Sequence, residues 1–208
     1  AHGNNRCDAD TTAALPFSFT LYHQTFAPVQ VGSNGFLSFC AVDNFFYSGC
    51  LPDSTDAYTI FPFAVDQITG ATGKGIFTVT TGTAPNRTFY IEWRTCQYNG
   101  ATTCLANTDD NYEVVFQEGV FNSFNIVYGT FGTGSSAAGA IGVQRDTTVF
   151  TLSQCNAGRP ATSQQTYTLA SCATTTPTTT PTATPTNTPT NTPINTFTRT
   201  PKNTPTTT

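Results

Sequence analysis

The chain has 208 residues, of which only 10% are charged, and its formal net charge is −4. The acidic balance argues against nucleic acid as a partner, and no apolar run approaches the ~20 residues that a membrane-spanning helix needs. Seven cysteines, no Met and few charges are typical of an extracellular β-protein. Because the chain begins Ala1-His2 without an initiating Met, we expect that a leader was removed.

Short segments of alternating hydrophobicity follow one another through most of the chain. The strongest of them places Phe89, Ile91 and Trp93 on one side of a strand. Turn residues such as Gly, Asn and Ser separate the segments, and no stretch shows sustained helical periodicity. The pattern predicts an all-β fold, an antiparallel β-sandwich or jelly-roll-like domain. The predicted strands cover residues 15–22, 29–31, 36–40, 58–63, 74–81, 88–94, 111–118, 124–128, 140–144, 147–152 and 165–170.

Six motifs in this part of the chain carry a family resemblance. In order, they are VGSNGFLSF (31–39), IFPFAVD (60–66), GIFTV (75–79), APNRTFYIEW (84–93), YEVVFQEG (112–119) and AIGVQ (140–144). Together they resemble the nidogen-like β-sandwich modules of secreted bacterial surface proteins, over residues 15–150. Such modules often carry Pro-Phe-Trp-Asp-Asp where this chain has Pro-Phe-Ala-Val-Asp at 62–66. The resemblance implies a non-catalytic extracellular interaction or structural module.

Composition divides the chain into an N-terminal segment (1–14), a β-sandwich domain (15–173) and a Thr/Pro tail (174–208). From Thr176 the tail reads TPTT, TPTA, TPTN, TPTN, TPIN, TFTR, TPKN and TPTT. Proline at nearly every fourth residue excludes helix and central strand, so the tail is expected to be extended, close to polyproline II, and about 100 Å long. It resembles the stalks that tether such modules to cell envelopes. Its Thr-rich composition predicts O-glycosylation, with candidates Thr176, Thr180, Thr184, Thr188, Thr192, Thr196, Thr200 and Thr204.

One part of the tail differs from the rest. Ile194 and Phe197 are its only large apolar residues, and Arg199 and Lys202 are its only charged residues. All twelve acidic residues and six of the eight basic ones lie outside the tail, so the body carries about −6 and the tail +2. This composition suits a docking segment that binds by strand addition or in an aromatic-lined groove. Drift within a low-complexity repeat is the alternative.

The cysteines predict disulfides and an oxidising compartment. None lies in a CxxC motif or near paired histidines, so a zinc site is not expected. Short spacings favour the local bridges Cys40–Cys50, Cys96–Cys104 and Cys155–Cys172, although seven cysteines allow many pairings. Cys7 is left over, and it is either a free buried thiol or a link to another chain.

Candidate catalytic residues are few. His23 follows a strand end, and we interpret it as a solvated turn residue rather than a general base. Glu92 could pair with Glu113 or Glu118 across adjacent strands, as the two carboxylates of a glycosidase do. Solvation, or pairing with Arg94, is the simpler interpretation. With no nucleophile elbow, phosphate loop or His-Glu-x-x-His motif, we expect neither enzymatic activity nor a cofactor.

Two loops and one turn hold further candidate sites. Asp53 with Asp56, and Asp109 with Asp110, are weak calcium candidates, because neither pair has EF-hand spacing and acidic loops are mostly solvated. Asn86 begins an Asn-Arg-Thr sequon at a predicted turn, which makes it an N-glycosylation candidate.

The leading functional hypothesis is a structural subunit of an extracellular filament or surface assembly. Copies of the chain would be the partners of one another, and the glycosylated tail would contact neighbouring subunits. The alternative is a monomeric adhesin or carbohydrate-binding module at the cell surface, on a glycosylated stalk. In that case Phe45, Phe46 and Tyr47 would form a ligand platform, although they could equally be the small core of their own loop.

Overall fold

The computed structural model describes residues 10–40, 49–99, 103–135, 139–158, 160 and 162–169. These residues belong to the first of two units into which the chain divides, Ala1–Cys172 and Ala173–Thr208. They form twelve β-strands, and none of them lies in a helix that could cross a membrane. The strands are β1 (Asp10–Leu21), β2 (Gln24–Gly32), β3 (Phe36–Ser38), β4 (Thr59–Ala64), β5 (Gln67–Ile68), β6 (Gly75–Thr81), β7 (Thr88–Gln97), β8 (Asp110–Gln117), β9 (Ser123–Tyr128), β10 (Ala140–Asp146), β11 (Val149–Cys155) and β12 (Gln164–Thr168).

The strands form two antiparallel sheets. The first sheet has the order β1-β2-β3-β4-β10-β11, and the second has the order β12-β9-β8-β7-β5, with β6 also paired to β7. The all-β antiparallel sandwich that the sequence predicts is therefore confirmed. Strand β5 is not among the predicted strands, because a two-residue strand shows no alternation of hydrophobicity.

The core lies between the inner faces of the two sheets. Phe89, Ile91 and Trp93 of β7 are buried, while the residues between them are half-buried, as the alternation predicted. The first sheet contributes Phe19, whose ring centroid lies 4.5 Å from that of Phe116 in β8. Burying each such side chain contributes about 1.5–3 kcal/mol to stability. The two faces therefore stabilise each other through one shared apolar layer.

A proline lies inside β4, which is a central strand. The pairing of β4 with β10 is irregular between Phe61 and Ala64, and Pro62 lies in this irregular stretch. Proline cannot donate a ladder hydrogen bond, so it is tolerated in a sheet at such interruptions. The Pro62 carbonyl accepts a hydrogen bond from the hydroxyl of Tyr128 in the opposite sheet, at 3.0 Å. The interruption thus supplies a link between the two layers.

The segment that precedes β4 covers the central part of the outer face of the first sheet, over β3, β4 and β10. Leu51 of this segment packs in a second apolar cluster with Phe36 and Phe61. The buried side chain of Gln144 donates a hydrogen bond to the carbonyl of Asp53 at 2.8 Å and accepts one from the Asp53 amide at 2.8 Å. These contacts fix the segment against β10.

The disulfides differ in part from the predicted ones. Cys96–Cys104 is confirmed, but Cys50 is bonded to Cys155, so the predicted pairs Cys40–Cys50 and Cys155–Cys172 are wrong. The covering segment brings Cys50 to the end of β11, where the Cα atoms are 5.4 Å apart. Spacing along the chain does not reveal this proximity. Cys40 is exposed and has no disulfide partner among the described residues.

Candidate functional site

The glycine-rich turn between β2 and β3 anchors a buried polar network. The Asn34 side-chain oxygen accepts a hydrogen bond from the Gln67 backbone amide at 2.8 Å. The Asn34 backbone carbonyl accepts one from the Val65 backbone amide at 3.2 Å. Gly35 has a φ of 76°, and a Cβ there would lie 2.1 Å from the Phe63 carbonyl oxygen. The first two motifs of the family resemblance therefore meet at this turn.

Side chains of the second sheet complete the same network. The Gln67 side-chain oxygen accepts hydrogen bonds from the hydroxyls of Thr95 and Tyr112, the latter at 3.1 Å. The indole of Trp93 donates to the Gly32 carbonyl at 2.9 Å. All of these side chains are buried, and burial holds the pKa of Tyr112 well above its usual range. The motif residues thus link the β2–β3 turn to the second sheet and stabilise the fold. Their side chains are buried, so they are not accessible to a partner.

The outer face of the second sheet is half-exposed and chemically mixed, in contrast to the covered centre of the outer face of the first sheet. The strand register aligns Phe77, Glu92 and Glu113 in one row across β6, β7 and β8. A recess of about 380 Å³ opens along this row. We call this surface the β6–β8 face, and its residues are Phe77, Val79, Tyr90, Glu92, Arg94 and Glu113.

Two carboxylates lie directly opposite each other on the β6–β8 face. Glu92 accepts two hydrogen bonds from the Arg94 guanidinium, at 2.9 and 3.0 Å, and one from the Asn111 side-chain amide at 2.7 Å. No described residue forms a salt bridge with Glu113. Burial, and then the charge of Glu92, raise the pKa of Glu113. Arg94 neutralises only Glu92, so the face has one carboxylate more than its cations neutralise. Like charges opposite each other destabilise a sheet.

Apolar groups flank the carboxylates. The Arg94 guanidinium lies over the Phe77 ring, 4.6 Å from its centroid, which holds both groups in place. Val79 is 54% exposed and lies opposite Tyr90. The β6–β8 face therefore offers aromatic and aliphatic surface next to an unneutralised carboxylate.

A second candidate surface lies where the two sheets end side by side. The edge strands β11 and β12 border a groove of about 530 Å³. The Tyr167 hydroxyl of β12 donates a hydrogen bond to the Gln165 side chain at 2.9 Å, and its ring stacks on Phe124 with centroids 4.9 Å apart. On β11, Phe150 and Leu152 are 39% and 38% exposed. Their exposure on an edge strand gives the molecule an apolar edge.

The structure also places the other candidates on surfaces and turns. His23 is exposed in the β1–β2 turn, as expected. Glu118 accepts hydrogen bonds from Arg87, at 2.6 Å to one oxygen and 2.8 Å to the other, so it does not join Glu92. Asn86 is exposed in a turn, where a glycan would be accessible.

The calcium candidates are already engaged by protein groups. Asp53 accepts hydrogen bonds from the amides of Thr55 and Asp56, at 2.7 and 3.2 Å, and Asp109 pairs with Lys74 at 2.8 Å. Asp110 is buried, and one of its carboxylate oxygens accepts a hydrogen bond from the Gly132 backbone amide at 3.2 Å. The other oxygen has no hydrogen-bond partner in the described part of the chain. Within that part, no group of three or more His, Cys, Asp or Glu side chains is placed to hold a metal.

Several candidates lie outside the described residues. They are the eight tail threonines Thr176, Thr180, Thr184, Thr188, Thr192, Thr196, Thr200 and Thr204, the docking residues Ile194, Phe197, Arg199 and Lys202, the aromatic residues Phe45, Phe46 and Tyr47, and the cysteines Cys7 and Cys172.

Comparison with known proteins agrees with the motif-based resemblance. The family described as NIDO related matches residues 3–201, which is nearly the whole chain. Searches among curated proteins and among solved structures found no match. The match includes the buried turn and all twelve strands, and the chain belongs to the NIDO-related family.

Proposed function

We propose that this protein is a structural subunit of an extracellular filament or surface assembly, in which copies of the chain join through their sandwich edges and their tails. The observation that carries the proposal is edge strand β11, with its exposed Phe150 and Leu152. Edge strands present unpaired backbone groups to other chains, and proteins usually protect them with charges or proline. The sequence of β11, VFTLSQC, contains neither.

A second unprotected edge supports the proposal. Strand β6 lies beside β7, at the end of the second sheet away from β12, and its sequence GIFTVTT also lacks charge and proline. Contact between two different edges of successive copies is heterologous, and such a contact builds a fibre when the rotation between copies does not close. The two disulfides fit the oxidising conditions outside the cell.

The first test is electron microscopy of the full chain with a charged β11 edge. The double variant F150K/L152K places two like charges on the edge strand, so we expect it to stay monomeric where the unaltered chain forms regular fibres. The matched control is V120K/F121K, which adds the same charges at exposed positions (39% and 68%) in the β8–β9 turn. Fibres from both variants would contradict the proposed edge contact.

A second candidate function is a monomeric adhesin or carbohydrate-binding module. The β6–β8 face favours it, because an aromatic ring beside polar groups suits a ligand with an apolar face and many hydroxyls. In that case the unaltered chain would be monodisperse, and it would bind neutral oligosaccharides on a glycan array. Tyr90→Ala would abolish that binding, whereas Phe121→Ala, in the β8–β9 turn, would leave it unchanged.

A further inference from the structure

We propose that the β6–β8 face of one copy binds residues 194–202 of the tail of a neighbouring copy. The inference rests on the proposed function, which supplies the neighbouring copy. It assigns a receptor surface to the only large apolar residues and the only charged residues of the tail, and it names Glu113 as the group that receives a tail cation.

The charges of the β6–β8 face and of the tail are complementary. Arg94 neutralises Glu92, whereas none of the four salt bridges in the described part of the chain includes Glu113. The tail carries two cations, Arg199 and Lys202, and no acidic residue. A tail cation placed beside Glu113 would relieve the repulsion between the two opposed carboxylates.

The spacing of the tail residues also suits binding to this face. A polyproline II helix has three residues per turn, so residues three apart lie on the same side. Ile194 and Phe197 are three apart, and so are Arg199 and Lys202. In a polyproline II conformation the apolar pair and the basic pair would each form a short row on neighbouring sides of the helix, so one surface could contact both rows. This suits a face that has apolar side chains next to a carboxylate.

The dimensions of the two surfaces also agree. Successive side chains on one side of a polyproline II helix are about 9 Å apart, and the two strand spacings between β6 and β8 amount to about 9.6 Å. One row of the tail, laid across the strands, can therefore span the recess from Phe77 to Glu113, with the other row on the adjacent side of the polyproline II helix. Aromatic-lined grooves commonly recognise proline-rich segments, and the recess is lined in part by the rings of Phe77 and Tyr90.

The length of the tail allows residues 194–202 to reach a neighbouring copy. Twenty-five residues separate Leu169 from Ile194, and at roughly 3.1 Å per residue they extend about 78 Å. A domain of this size is about 40 Å across. A segment of this length can therefore reach a neighbouring copy.

The experiment is carbodiimide cross-linking of the full chain, assembled from an equal mixture of unlabelled and ¹⁵N-labelled protein. This reagent joins a lysine to a carboxylate that it touches, and the two lysines of the chain are Lys74 and Lys202. Lys74 lies 2.8 Å from Asp109, so the Lys74–Asp109 link is an internal positive control. We expect mass spectrometry to find Lys202 linked to Glu113 or Glu92 in mixed light–heavy pairs, and we expect 1 M salt to suppress the link.

Two variants sharpen the test. Glu113→Gln removes the proposed receptor charge and is expected to abolish most of the Lys202 links to this face. Glu118→Gln is the matched control, because Glu118 is paired with Arg87 and lies outside the β6–β8 face. We expect it to leave the Lys202 links unchanged. Equal effects of the two variants would overturn the assignment.

The outcomes separate this inference from the proposed function. Fibres in which Lys202 is linked to other acids, while Lys74–Asp109 forms normally, would overturn the receptor face and leave the filament subunit standing. Fibres in which every Lys202–Glu113 link lies within one chain would overturn the neighbouring copy as the partner. Monodisperse particles without mixed pairs would overturn the proposed function itself.

Discussion

His23 lies at the tip of the β1–β2 hairpin in a conformation that suits glycine. Tyr22 and His23 have φ values of 50° and 66°, as the two central residues of a tight hairpin turn require. This left-handed region disfavours residues with a Cβ, and His23 is exposed, so its side chain offers little packing to offset that penalty. We expect His23→Gly to stabilise the fold by about 0.5–1 kcal/mol in urea unfolding.

A second residue with positive φ provides the control. Asn122 has a φ of 52°, but its side chain accepts a hydrogen bond from the His23 amide at 3.3 Å. Asn122→Gly removes this acceptor, so it should fail to stabilise the protein. A loss of stability in His23→Gly would show that the imidazole makes a contact worth more than the relief of strain.

Asp110 makes stability depend on pH. Burial raises its pKa to about 6, from an ordinary value near 3.8. Between about pH 4 and pH 6, the folded chain keeps a proton that the unfolded chain has lost, so stability falls as the pH rises through this range. In Asp110→Asn the side chain stays neutral and keeps an acceptor oxygen for the Gly132 amide, so this contribution disappears.

The measurement is urea unfolding of both proteins at several pH values. The stability of Asp110→Asn relative to the unaltered chain should rise by about 1–3 kcal/mol between pH 4 and pH 7. Taking the difference removes the contributions of other acids, such as Glu113, whose raised pKa acts in the same direction. Parallel stability curves would contradict the role of Asp110.

At the scale of elements, the two disulfides should differ in their contribution to stability. Cys50–Cys155 closes a loop with a sequence separation of 105, against 8 for Cys96–Cys104. A longer loop removes more entropy from the unfolded chain. We expect C50A/C155A to lower the free energy of unfolding by about 4–5 kcal/mol, and C96A/C104A by about 2–3 kcal/mol. Equal losses, measured by urea unfolding, would argue against the entropic account.

The strands were predictable from the sequence, but the contacts between them were not. Alternation along β7 is a local property, so it identified Phe89, Ile91 and Trp93 as inward-facing. The Cys50–Cys155 bridge depends on a segment that folds back over β10, and nothing in the local spacing indicates it. Similarly, the sequence placed Glu92 and Glu113 on neighbouring strands, but only the register aligns both with Phe77.

At the scale of the whole molecule, the sandwich is asymmetric. The segment that precedes β4 covers the centre of the outer face of the first sheet, where Phe36, Leu51 and Phe61 are buried. The second sheet keeps the β6–β8 face half-exposed, and both sheets end in uncharged edge strands. In the proposed assembly, the edges would therefore form the contact between successive copies, and the β6–β8 face would bind the tail.

The bridge from Cys50 to Cys155 also has a mechanical consequence for a chain pulled from its two ends. The bridge closes a loop that holds about half of the 208 residues. Tension can straighten only the residues outside this loop. A fully extended polypeptide spans at most ~3.3–3.6 Å per residue, so the bridge withholds roughly 350 Å of extension. An oxidised chain held at its two ends would thus lengthen only through the residues outside the loop, whereas a reduced chain would go on lengthening as the sandwich unravels.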